Sequence, residues 1–97
     1  MNATPEAICG QLPAPIVELL SAVRDALELP TADTTADHHA RAILLDARAS
    51  DAQIILAAVI RGDLITDCTN QLRGWTAERP VTYRVWVPEQ AEGEGQR

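Results

Sequence analysis

The chain has 97 residues, a hydrophobic fraction of 46% and a formal charge of −6, with Arg as its only strongly basic residue type and no Phe. That length bounds it to one domain, and that apolar content excludes an intrinsically disordered protein. Its acidity, with the arginines scattered and no basic stripe, argues against a nucleic-acid binder, whose phosphate affinity comes from clustered positive charge.

Aromatic residues make up only 3%, so a core has to be built from Leu, Ile, Val and Ala. This favours close-packed helices over a β-sandwich. Abundant Ala with neither Lys nor Phe is the signature of a GC-rich coding sequence. Cys9 and Cys68 have no metal-type spacing and read as reduced thiols. The first fifteen residues, MNATPEAICGQLPAP, lack the basic and apolar regions of a signal peptide. The longest apolar run, residues 54–60, is too short for a bilayer. The expectation is a soluble, cytoplasmic protein.

Residues 1–13 read as a flexible lead-in punctuated by Pro5, Gly10 and Pro13. A first helix is predicted from Pro15, since proline suits the first helical turn. Its apolar residues Ile16, Leu19, Leu20, Val23 and Leu27 recur at helical spacing, and Pro30 ends it. Residues 34–62 contain no proline and no glycine before Gly62, which predicts a long central helix introduced by a Thr34–Asp37 capping arrangement. Its apolar residues fall into two stripes: Ile43, Leu44, Ala47, Ile54 and Ala58, and opposite them Leu45, Ala49, Leu56 and Ile60. Arg41, Arg48 and Asp51 lie on one seam between the stripes, and His39, Asp46 and Gln53 on the other. Two stripes call for two covers, one from the first helix and one from a third helix or a second copy of the chain. Ser50-x-x-Gln53 offers a competing break as a capping box; the strong helix formers around it favour continuity.

Gly62 is the expected stop and Asp63 the expected cap of a third helix that uses Leu64, Ile65, Cys68, Leu72 and Trp75. After Pro80, residues 81–87 alternate like a strand, with Val81, Tyr83, Val85 and Val87 on one face and Thr82, Arg84 and Trp86 on the other. Residues 89–97 read as a polar, disordered tail. The expected architecture is mainly α: a three-helix bundle around a long central helix, residues 14–88, with one C-terminal extended strand.

Adjacent His38 and His39 point apart on a helix and form no ligand pair. Arg61-Gly62-Asp63, an adhesion tripeptide in other settings, is here a helix stop and restart. Cys68 falls on an apolar stripe and reads as a small buried hydrophobe; Cys9 has no basic neighbour to activate it. There is no nucleophile elbow, phosphate loop or flanked carboxylate pair, so no catalytic, metal-binding or cofactor-binding residue is assigned. A lone strand needs a mate. It either lies across the bundle, pairs with its equivalent in a homodimer, or adds to a partner's sheet. Tyr83, Arg84 and Trp86, with Trp75, are the candidate partner-binding residues, because Trp, Tyr and Arg dominate binding hot spots.

The blocks HHARAILLDARASDAQIIL and LRGWTAERPVTYRVWVPE resemble small uncharacterised helical proteins of actinobacteria, some of them carried by phages or mobile elements. The resemblance runs from about Pro15 to Glu89 and is most specific over the Trp-Thr-Ala-Glu-Arg-Pro-Val-Thr-Tyr ending. It implies an intracellular accessory protein and carries no activity. The leading expectation is a non-enzymatic interaction or regulatory protein that binds a protein partner or itself. The alternative is a DNA-associated regulator with a helix–turn–helix-like pair around Arg61-Gly62.

Overall fold

The structure, a computed structural model, describes residues 12–88; the expected flexible lead-in falls almost wholly, and the polar tail entirely, outside them. Among the described residues there are three helices: α1 (Ala14–Leu27), α2 (Thr35–Ile60) and α3 (Ile65–Glu78). Each follows from local chemistry. Pro13 and Pro15 open α1, where missing N–H groups cost nothing. Thr34 and Asp37 close a reciprocal capping box at the start of α2, and the helix then runs unbroken through Ser50. Gly62 ends α2 with φ 106°. Its N–H donates to the Val59 carbonyl, and the Asp63 N–H donates to the Ala58 carbonyl. This pairing satisfies the last orphan carbonyls of a helix and needs a residue tolerant of positive φ. Asp63 does not cap α3: Leu64 is the N-cap, without a side-chain bond, and the Asp63 carboxylate accepts instead from Arg61 at 2.9 Å.

α1 and α3 run side by side and both antiparallel to α2, covering only its C-terminal half. Leu19, Ala22 and Ala26 of α1, Ile55 and Ala58 of α2, and Cys68 and Leu72 of α3 form the buried core. The small residues on α1 let the helices approach closely, and burial of the aliphatic side chains supplies the main driving force.

The inward face of α2 takes only Leu44 and Ala58 from its apolar stripes. It follows Asp37, Arg41, Leu44, Arg48, Asp51, Ile55 and Ala58, an alternating four-and-three spacing that marks one helix side. Arg48 and Asp51 are as buried as core residues, whereas Ile43 and Ile54 are 59% and 53% exposed. The expected two-stripe packing is therefore corrected: the polar seam faces in and the stripes flank it. The reason is unsatisfied backbone. α1 and α3 both end beside the middle of α2, leaving carbonyls with no helical partner. Arg48 donates to the Arg79 carbonyl at 2.7 Å from Nη2 and at 3.1 Å from Nε, and to the Asp25 and Ala26 carbonyls at 3.4 Å. A guanidinium, with five donors and a charge suited to the negative ends of two helices, fills that position better than an alkyl group.

The strand expected over residues 81–87 is not formed. The segment is extended, but its pairing amounts to one isolated antiparallel bridge between Ala32 and Val85. The Trp86 N–H donates to the Thr31 carbonyl and the Asp33 N–H to the Arg84 carbonyl. The ladder stops there because the Arg84 N–H, which would return the bond to the Asp33 carbonyl, donates instead to the Asp37 carboxylate at the start of α2. The alternation still sorts the side chains. Tyr83 is buried, with its hydroxyl donating to the Pro30 carbonyl at 2.6 Å, while Thr82, Arg84 and Trp86 face outward. The segment and the 28–34 loop thus cover the N-terminal half of α2 that α1 and α3 leave bare.

Candidate interaction surface

On α1 the residues Ile16, Leu20, Val23 and Leu27 recur at i, i+4, i+7 and i+11, to one side of the buried line Leu19–Ala22–Ala26. On α2 the same spacing runs through Ala49, Gln53, Leu56 and Ile60, to one side of the line Arg48–Asp51–Ile55. The two offset stripes meet along an open groove of about 350 Å³ lined by Val23, Leu27, Ala49, Leu56, Ala57 and Ile60, with Ala52 at its floor. Helices this close usually shut such a crevice with their own side chains; here no third element among the described residues sits on it. Leu20 is 50% exposed and Ile60 85%. Ile16, Leu20, Leu27 and Ile60 together leave on the order of 400 Å² of aliphatic residue surface open, at the size where exposed apolar patches mark interaction sites.

The groove carries no charge. From Ala52 to Ile60 α2 has no ionisable residue at all, even on its solvent side. A helix face that only meets water is ordinarily polar, and depletion of charge is the compositional mark of an interface centre.

The charged groups are spent elsewhere. Every arginine among the described residues is engaged within the chain. Arg24 pairs with Asp25, Arg61 with Asp63, Arg73 with Glu18, Arg79 with Asp51 and Arg84 with Asp33. Arg41 binds the Leu29 and Pro30 carbonyls, and Arg48 the carbonyls already described. The α2–turn–α3 pair exists, but α3 carries Asp67 in its first turn, the end that would approach phosphate, and no cluster of free cations surrounds it. Arg79 is held at both ends: its carbonyl accepts from Arg48, and its Nε donates to Asp51 at 2.7 Å. The Asp51 bond and charge raise its pKa above the ordinary guanidinium value.

The sequence-derived partner residues separate into two pairs. Tyr83 is buried and Trp75 packs against the core, half-buried. Arg84 and Trp86 stand outward on the C-terminal segment, with Trp86 46% exposed. None of these four lines the groove. The groove residues escaped the sequence reading because each stripe was assigned a cover. The charge-free stretch 52–60 was the available signal. Cys68 is buried, Cys9 lies outside the described residues, and His38 and His39 are exposed in the first turns of α2. Among the described residues no cluster of His, Cys, Asp or Glu is placed to hold a metal, and no helix is long and apolar enough to cross a membrane.

Comparison of the chain with protein-family models, with curated proteins and with solved structures gives no match.

Proposed function

We propose that this chain is a non-enzymatic interaction module whose α1/α2 face docks an apolar surface of another protein chain. The observation that carries the reading is the open, charge-free groove between Val23–Leu27 and Leu56–Ile60. Its two i, i+4, i+7, i+11 stripes are spaced to receive a helix lying along it, the mode in which a partner helix buries one apolar face. Burying aliphatic area at about 25 cal/mol per Å² favours such docking. The outward Arg84 and Trp86 form a separate, smaller contact edge.

A photo-reactive residue substituted for Ala57, at the groove rim, tests the reading in cells expressing the full chain. Covalent protein adducts are expected from position 57 and not from exposed Asn70 on α3. Absence of adducts, or equal adducts from both positions, would remove the groove as the docking face.

A further inference from the structure

We infer that the occupant of this face is a second copy of the chain, with the two α2 helices antiparallel across a two-fold axis beside Gln53 and Ile54; the inference rests on the docking reading above. A two-fold interface must be complementary to itself, and the outward line of α2 has that property. Reversing the helix about the Gln53–Ile54 midpoint places Gln53 opposite Ile54, Ser50 opposite Ala57, Ala47 opposite Ile60 and Asp46 opposite Arg61, the C-cap. Gln53 meets Ile54 on the axis itself, and one turn to either side small Ser50 meets small Ala57. Ile60, 85% exposed, meets Ala47. The only charges on the line, Asp46 and Arg61, meet with opposite sign at both ends.

Arg61 now bridges Asp63 at 2.9 Å, but both side chains are largely in water, so the exchange of partners is cheap. The line is electrically balanced although the chain as a whole carries −6, so the strip that meets its copy adds no net repulsion. Its extent also fits. From Asp46 to Arg61, the C-cap, is about 22 Å along the helix at 1.5 Å per residue. With α1 beside it, the strip is two helices wide, which adds toward the roughly 800 Å² per partner of a stable interface. Leu20 and Leu27 of each copy then close over the groove.

Sedimentation of the full chain at micromolar concentration tests this, with circular dichroism as the check on folding. The expected result is a species of twice the 10.5 kDa chain mass. Ala57→Glu, a charge at the centre of the line on an exposed position, is expected to give a folded monomer. Asp46→Arg and Arg61→Asp each set like charges face to face at both ends and weaken association roughly five- to tenfold. The double variant restores the opposition and recovers wild-type affinity. A strict monomer, or a dimer indifferent to Ala57→Glu, overturns the inference; singles that weaken the dimer without rescue by the double variant overturn the antiparallel register. Photo-adducts from position 57 with a different protein, alongside a monomeric chain, would sustain the docking reading while overturning this one.

Discussion

The two sides of α2 invert the usual relation between polarity and burial. The line Arg41–Arg48–Asp51 is charged and sealed; the line Ala49–Leu56–Ile60 is apolar and open. Both lie on one helix, about a third of a turn apart. The charged line is inside because two other helices end against it and their carbonyls need donors, which Arg48 supplies. No buried side-chain polar atom among the described residues lacks a hydrogen-bond partner, so the arrangement escapes the large penalty of unpaired buried groups. The apolar line is outside because α1 and α3 pack on each other and on Ile55 and Ala58, leaving the flank unfilled. Burial here is decided by what the neighbouring backbone requires, and exposure by what the chain has left over for another surface.

The most damaging single change should therefore be one that makes the inner line more hydrophobic. Arg48→Leu keeps an apolar stem but strands the Asp25, Ala26 and Arg79 carbonyls at a cost of about 1–3 kcal/mol for each that water cannot reach. A loss on the order of 4 kcal/mol is expected, read from the urea midpoint. A midpoint within half a kcal/mol of wild type would mean that these carbonyls are solvated, and the inner line would lose its explanation.

A matched pair of substitutions sharpens the contrast with chemistry held fixed. Ile55 is 1% exposed and Ile60 85%, five positions apart on the same helix. Ile55→Ala opens a cavity in the core and should cost about 3 kcal/mol. Ile60→Ala should change monomer stability by less than about 0.5 kcal/mol in dilute protein. Equal costs in that dilute regime would show that the groove side is already covered within one chain.

Much of the fold was legible from local signals. Prolines, the Thr34–Asp37 capping box and Gly62 carry their geometry in their own chemistry, which is why the helices and the continuity of α2 could be read. The inward face of α2 could not, because an apolar stripe is visible in a sequence and an orphaned carbonyl is not. Arg48 reads as a surface residue until the ends of α1 and α3 are placed beside it. Residues 81–87 misled for a related reason: alternation reports that one face is buried, and Tyr83 is buried, but it says nothing of how many ladder partners exist. The 28–34 loop offers Ala32 and its neighbours, then α2 begins. The candidate surface was half legible, in the charge-free run 52–60, while its α1 wall required knowing that Leu20 and Leu27 lie beside the buried line and not on it.

The smallest expected effect lies at the far end of the inner line, where α1 and α3 no longer reach. Asp37 accepts from the Thr34 hydroxyl at 2.6 Å and from the Thr34 and Arg84 N–H groups at 3.2 and 3.1 Å. The Thr34 hydroxyl first, then the Arg84 N–H, hold its pKa below the ordinary 3.8. A carboxylate depressed in the folded state binds its proton more readily in the unfolded chain. Its contribution is fully present above 3.8 and is lost as the pH falls through the lower folded value. The same carboxylate ties the N-terminus of α2 to the C-terminal segment, so its protonation should loosen residues 81–87 before the core opens. Between about pH 4 and pH 2 the urea midpoint of the wild type should fall more steeply than that of Asp37→Asn, whose amide keeps the shape but cannot titrate. Parallel curves would show that the bonds to Asp37 add nothing to folding. The inner line would then be held by Arg41, Arg48 and Asp51 alone.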